Sequence, residues 1–367
     1  MIMKYTFKFC NLPNDKSTVK LVNDAASRLY NKLNGIDLET LDISDYNKRY
    51  LRMYLKCLQS NLQMYSYILV WSITKIDIPL NELVFLDYGG GAGILALLAK
   101  ECNIGKVVYN DIYDVSARDA EVIGKHIGNR ADYYVPGDID EVIDFLKEKS
   151  IQCNVIANYD VIEHIYDIEE FLRKVSLISD SNLRVFFSSG ANPYNPFIRR
   201  KLVRHHQKLE FLDREQYFGK KERDSLRSYL KIRTDIIKGL NLSLSQDQVK
   251  YLSAATRGMN ENDIKKVVDE YVTRGTITLK QKYHMYPTNT CDPYTGNWAE
   301  HLMDIYYLKN ILKEENFQAD IWRGYYGDSN TFLKCLAARS LNLLIKSSGR
   351  YGLVFSPFFT LYGNRLR

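Results

Sequence analysis

Residues 84–100 read VFLDYGGGAGILALLAK, and this stretch decides the fold. Val84, Phe85 and Leu86 form a short apolar run that ends at Asp87. Gly89, Gly90, Gly91 and Gly93 crowd the positions that follow, and Ile94–Lys100 has helix-forming composition, apolar on nearly every face. A continuous apolar run marks a strand buried on both sides, as in a parallel sheet. Glycines at a strand-to-helix turn let the backbone pass close against a ligand, because no Cβ intervenes. The helix N-terminus that follows offers unpaired N–H groups. The spacing is Asp87-x-Gly89-x-Gly91-x-Gly93. A dinucleotide fingerprint, Gly-x-Gly-x-x-Gly, would need glycine at position 94, which is Ile, so a nicotinamide cofactor is disfavoured. The Gly-Lys-Ser/Thr of a P-loop is absent. A tight strand–helix turn with no ligand is the plainer alternative.

Outward from this turn, strands and helices alternate. A second strand spans Lys106–Asn110 and ends at Asp111, with a helix over Val115–Ile127. A third covers Ala131–Val135, with a helix over Glu141–Lys149; a fourth is Asn154–Asn158 and a fifth Leu183–Ser188. Such alternation predicts an α/β fold with a doubly wound, mostly parallel sheet. Ligands of such sheets lie outside the carboxyl ends of the strands. The candidate segments 87–93, 111, 138, 158–164 and 188–193 all fall at those ends.

The glycine turn resembles motif I of the class I S-adenosylmethionine-dependent methyltransferases: hydrophobic-Asp/Glu-x-Gly-x-Gly-x-Gly. A second segment, Asp160-Val161-Ile162-Glu163-His164, resembles the Asp-Val-Leu-Glu-His-Val that follows the fourth strand in the small-molecule branch of that class. The phrase ILKEENFQADIW (residues 311–322) is similar to the family's last helix and following strand. The resemblance covers 81–190 well and 286–362 loosely. It implies a seven-stranded Rossmann-like sheet and S-adenosyl-L-methionine as cofactor. It also implies methyl transfer to an O or N of a small molecule, glycan or lipid precursor. A non-catalytic binding or scaffold protein on the same fold is the alternative.

By this resemblance Asp87 meets the cofactor's ammonium end, Gly89, Gly91 and Gly93 admit its methionine portion, and Asn158 belongs to the same set. Asp111, 24 residues after Asp87, can accept both ribose hydroxyls, each charge-assisted bond worth about 1.5–3 kcal/mol. A helix N-cap, shared with Asp114, is its other reading. Asp138 corresponds to the acid that meets the adenine amino group, with Ile139 covering the ring; a capping role for Asp138 is equally open. His164 is the candidate general base and Glu163 would bind or polarise the acceptor, against the plainer reading of local packing. His205, His206, His284 and His301 are further bases that the sequence does not rank. No metal-ligand spacing is present.

The flanks fall outside the resemblance. Residues 1–80 form a mostly helical region in which Asp45–Ile73 reads as one amphipathic stripe carrying Tyr50, Leu51, Tyr54, Leu55, Leu58, Leu62 and Tyr65. Residues 81–196 are the α/β core. Residues 197–285 are a basic helical insertion after strand five. Its stretch 197–282 holds 20 Lys+Arg against 11 Asp+Glu, which suits either a solvated face or a lid for an anionic acceptor. Residues 286–367 complete the core: a loop at 288–300, a helix over Glu300–Glu315, a sixth strand over Phe317–Tyr325, a helix over Thr331–Lys346 and a seventh strand over Phe358–Tyr362. Leu353–Phe359 is apolar enough for an interface or a bilayer surface, with core burial as the default.

At 367 residues, 46% hydrophobic and 26% charged, the chain has the composition of an ordinary globular protein that can build its own core. Six scattered cysteines without a Cys-x-x-Cys pair argue for reduced thiols and a cytoplasmic setting. The N-terminus lacks a signal-peptide core, and no run approaches a membrane span. A net charge of +6, without a reader motif, does not by itself imply nucleic acid. The oligomeric state is not legible.

Overall fold

A computed structural model describes residues 11–179, 182–214, 226–240, 242–277, 287–327 and 331–365, together with the backbone but not the side chain of residue 332. They fall into two units: Met1–Val161, Glu169–Gly190 and Ile305–Arg367 form one, Ile162–Ile168 and Ala191–Asp304 the other.

The first unit is built on seven strands: β1 Val84–Tyr88, β2 Lys106–Asp111, β3 Tyr133–Pro136, β4 Val155–Tyr159, β5 Arg184–Ser189, β6 Phe317–Arg323 and β7 Phe359–Arg365. Their order is β3-β2-β1-β4-β5-β7-β6. The first five are parallel, and β7 runs antiparallel to both β5 and β6. The doubly wound, mostly parallel sheet expected from the alternating pattern is therefore present. The order reverses at β1, between β2 and β4, which is the switch point where such sheets bind ligands. Register places Asp87 of β1 opposite Tyr109 of β2 and Ala157 of β4. Asp111 and Asn158 thus stand one or two positions further along the neighbouring strands.

The helices of this unit are α1 Lys16–Asn34, α2 Asp45–Lys56, α3 Leu58–Ile73, α4 Ile94–Glu101, α5 Asp114–His126, α6 Ile139–Glu148, α7 Ile168–Val175 (from Glu169 onward), α12 Ile305–Glu314 and α13 Phe332–Ser347. One sheet face, with Phe85, Val107, Tyr109, Val155, Ala157 and Phe186, packs into a core with Leu29, Ile68, Leu95 and Leu98. Arg184 is buried at the start of β5, where its guanidinium donates to the carbonyls of Ser72 (3.1 Å) and Thr74 (2.7 Å).

The single stripe expected over Asp45–Ile73 is two helices, broken at Cys57. The reason lies in what each half packs against. Up to Lys56 the chain is charged on one side, whereas Leu58–Ile73 is apolar almost all round and becomes buried almost all round. A helix that must face the core on every side cannot continue the path of one with a wet face. Other boundaries shift by a few residues. The third strand is Tyr133–Pro136, not Ala131–Val135, and the late helix begins at Ile305, not Glu300. Glu300 has φ 61°, which no helix tolerates. Leu353, Phe358 and Phe359 are buried as expected, but Val354 and Phe355 are not.

The second unit is helical: α8 Pro196–Phe211, α9 Tyr229–Gly239, α10 Gln246–Ala255 and α11 Glu261–Arg274. Asn195 caps α8 through its Oδ1, which accepts from Phe197 N and Ile198 N, with Pro196 at the first helical position. Ser245 and Gln248 make a reciprocal capping box for α10. Ile237, Val249, Leu252, Met259, Ile264, Val268, Cys291 and Trp298 form its core. Within it lies a buried ion pair, Arg233–Glu210, in which Nη1 donates to Oε2 at 3.2 Å and Nη2 also reaches the carboxylate.

Candidate functional site

The glycine turn is a cradle that only glycine can build. Gly89 and Gly91 have φ of 71° and 54°, the left-handed region closed to most side chains. A Cβ on Gly91 would lie 3.0 Å from Cε1 of Tyr50, and one on Gly89 would lie 2.8 Å from the methyls of Val161. Gly93 caps α4, also left-handed, without a side chain. Tyr109 Oη donates to Gly91 O at 2.6 Å and holds the turn from β2.

Asp87 is buried at the end of β1, and its Oδ2 accepts from Ala96 N at 2.9 Å in the first turn of α4. Burial pushes its pKa up to about 7, against the lowering effect of the Ala96 N–H; the Asp111 charge adds to the rise. Folding therefore raises this pKa from about 4 in the unfolded chain, so the folded state holds the proton more tightly. The stability this lends is complete in acid and is lost as pH rises through about 7. Asp87→Asn, a neutral isostere, escapes that loss. Its stability relative to wild type is expected to improve between about pH 5 and about pH 8 in urea unfolding. A difference that does not move with pH would show that Asp87 is not the titrating group.

Asp111 closes β2. Its Oδ1 accepts from Tyr113 N at 3.0 Å and its Oδ2 from Gly91 N at 3.1 Å. It is no helix cap: α5 starts at Asp114, whose own Oδ1 accepts from Val115 N at 2.8 Å. Asp138, exposed at the end of β3, is the N-cap of α6: it accepts from Asp140 N at 2.8 Å and, with Glu141, forms a capping box. The capping reading of Asp138 is thus realised, and Ile139 beside it is buried. Asn158, near the end of β4, is 1% exposed, and neither its Oδ1 nor its Nδ2 has a hydrogen-bond partner among the described residues. An unpaired amide in that position costs about 1–3 kcal/mol unless something outside the chain completes it.

Two features escaped the sequence reading. Asp160 holds φ 54°, a non-glycine residue in the left-handed region, while its Oδ1 accepts from Gly190 N at 2.7 Å at the end of β5. The other is a run of tyrosines. Tyr50, Tyr54 and Tyr65 join through their hydroxyls, at 3.1 Å between Tyr50 and Tyr54 and 2.8 Å from Tyr65 to Tyr54. Tyr46 stacks on Tyr50, and Tyr65 meets Tyr159 edge-on. Burial raises the pKa of all four of these helix phenols, and the carboxylates of Asp87, Asp111 and Asp160 reinforce the rise, with Arg49 opposing it at Tyr46. The rim is therefore anionic and aromatic. The tyrosines were visible as part of a helical stripe; that they are tyrosines and not leucines was the signal.

Glu163 and His164 belong to the second unit, in a short 3-10 turn, Ile162–His164. Nδ1 of His164 lies 2.7 Å from the carbonyl oxygen of Trp298, so that nitrogen carries the proton and Nε2 is the basic one. Glu163 is buried, and its backbone oxygen accepts from His301 N at 3.0 Å. His206 is pinned at both ring nitrogens: Nδ1 accepts from Thr290 N at 3.1 Å and Nε2 donates to Glu300 O at 3.2 Å. Burial drives its pKa down to about 3. His301 donates from Nδ1 to the Thr288 carbonyl, stacks on Trp298, and is pushed down to about 4 by burial. Burial also lowers the pKa of His205. His284 lies outside the described residues.

No family model matches the chain. A curated relative, the ubiquinone biosynthesis O-methyltransferase of Pelagibacter ubique (strain HTCC1062), is 29% identical over 122 residues, which is 32% of this chain and 47% of that protein. The chain thus spans about half the length of the curated relative it matches. Among solved structures, PKMT2 from Rickettsia typhi in complex with AdoHcy aligns over 79% of this chain and 49% of its own, at 13% identity and a TM-score of 0.37. An S-adenosylmethionine-dependent methyltransferase from Mesorhizobium loti aligns over 78% and 94%, at 11% identity and 0.35. Strand order and direction carry the fold assignment on their own: five parallel strands, a reversal at β1 and an antiparallel β7 between β5 and β6 make this a methyltransferase-type Rossmann-like α/β sheet.

Proposed function

We propose that the chain is an S-adenosylmethionine-dependent methyltransferase that acts on an oxygen of a small-molecule acceptor. The observation that carries this is the anionic, aromatic rim around the glycine cradle, at the carboxyl ends of adjacent strands. S-adenosylmethionine, when bound, supplies a methyl group already activated on a sulfonium. Its cationic sulfur and ammonium suit a rim of Asp111 and Asp160 carboxylates among neutral phenols, and a cation beside Asp87 would favour its ionised form. The partnerless Asn158 amide also fits a group rich in donors and acceptors. In this reading Asp111 takes the ribose, Asp87 and Gly89–Gly93 the methionine end, and Asp138 with Ile139 the adenine. The name of the Pelagibacter relative supports an oxygen acceptor; a nitrogen acceptor, or a glycan or lipid precursor, is compatible with the same residues.

The protein's share of such a reaction is alignment and exclusion of water, since the methyl needs no further activation. A hydroxyl acceptor must shed a proton as its oxygen gains the methyl. His164 is suited to receive it at Nε2, because the Trp298 carbonyl fixes the proton on Nδ1. His206 has no free nitrogen for that role, which favours His164 over it.

Titration calorimetry with S-adenosylhomocysteine and with NAD tests the reading. Binding of the first and not the second is expected; binding of neither would leave a scaffold on a borrowed fold. For the base, His164→Ala is expected to slow turnover by about 10²-fold or more in a labelled-methyl assay while leaving the affinity for S-adenosylhomocysteine alone. Full activity in that variant would discard His164.

A further inference from the structure

Helix α13 is held to the sheet unit by one side only. Asn342 and Ile345 are its buried positions, with Cys335, Ala338 and Leu341 half-buried on the same side. On the opposite side Leu333, Leu336, Leu343 and Leu344 are 73%, 54%, 68% and 46% exposed. Their spacing places them along one stripe, together with Ser340 and Ser347. A helix is expected to turn polar where it leaves the core, and this one does not. The exposed apolar surface continues past the helix through Tyr351, Val354 and Phe355.

The charges around the stripe are of one sign. Lys334, Arg339, Lys346 and Arg350 flank it, and residues 331–365 contain no Asp or Glu. Arg350 lies over the Tyr351 ring, 4.9 Å from its centroid, and donates to the Tyr351 hydroxyl at 2.9 Å. Among the described residues no helix is long and apolar enough to cross a membrane. A leucine stripe edged by cations, with an aromatic residue at its end, is instead the pattern of a helix lying in the plane of a bilayer interface.

We propose that α13 and the turn after it, Gly349–Phe355, dock the protein on an anionic lipid bilayer. The leucines enter the headgroup–acyl boundary while Lys334, Arg339, Lys346 and Arg350 meet lipid phosphates. Charge decides between this and a second copy of the chain. Two copies packed stripe to stripe would bring their cations together with no acid in the segment to offset them. An anionic surface satisfies both the stripe and its flanks.

Vesicle flotation tests the proposal with the full chain. Wild type is expected to float with phosphatidylcholine vesicles carrying about 30 mol % phosphatidylglycerol, and about tenfold less with phosphatidylcholine alone or at high salt. The double variant Leu336→Glu/Leu343→Glu changes only exposed side chains and is expected to keep its unfolding transition while losing vesicle binding by about tenfold or more. Failure of wild type to float, equal flotation on neutral vesicles, or unchanged binding in the folded double variant would each overturn the proposal. So would sedimentation showing a dimer that the double variant abolishes, in a protein that does not float.

Discussion

The Asp111→Ala protein is expected to bind S-adenosylhomocysteine at least about tenfold more weakly than wild type, with its unfolding transition preserved. A hydrogen bond from a ribose hydroxyl to a charged acceptor is worth about 1.5–3 kcal/mol, so the loss of even one sets this floor. The structure adds a reason for it to be larger. Asp111 also receives the N–H of Gly91, so its loss loosens the cradle from the second strand as well. Asp111→Asn separates the two contributions. The amide oxygen can still accept from Gly91 N, but the charge is gone, so an intermediate affinity is expected. An unchanged dissociation constant in Asp111→Ala, measured by calorimetry, would remove Asp111 from the ribose role.

The largest effect on stability is expected at a residue with no part in that site. Glu210 and Arg233 are both buried in the helical unit, and Arg233 also donates from Nε to Ser253 O at 3.0 Å. Glu210→Ala would leave the guanidinium without its counter-charge, which costs about 3–5 kcal/mol. Thr290 Oγ1, which donates to the same carboxylate at 3.3 Å, would lose its acceptor too. The joint replacement Glu210→Leu/Arg233→Met removes both charges and is expected to recover much of the loss. Urea unfolding of the three proteins checks this; equal destabilisation in the single and double variants would mean that packing, not charge, governs the site.

The parts of the fold that sequence made legible are those governed by short-range pattern. Runs such as Val84–Leu86 and Lys106–Asn110 announce parallel strands because both their faces are dry. The glycine turn announces itself because φ values near 54–77° at three alternate positions favour glycine over residues with a Cβ. Two things were out of reach. The break at Cys57 depends on what packs around α3, a tertiary fact. The linking of Tyr50, Tyr54 and Tyr65 into one hydroxyl chain needs geometry that spacing alone does not give, since the same spacing suits plain core packing. Asp138 shows the opposite case: sequence offered two roles, and the observed capping box engages the carboxylate from within the helix.

The placement of β7 has a consequence for synthesis. β6 is made first, yet among the described residues its one strand neighbour is β7, which joins it to β5. A nascent chain that has emerged through residue 323 therefore has no partner for β6, and its sheet ends at β5 with an open edge. Pairing across a separation of more than a hundred residues must wait for Phe359–Arg365 to appear. β6 and β7, connected through α13, then complete a platform already built. Until then, the uncovered edge of β5 is the place where a ribosome-bound intermediate is most open to capture by chaperones or by another growing chain.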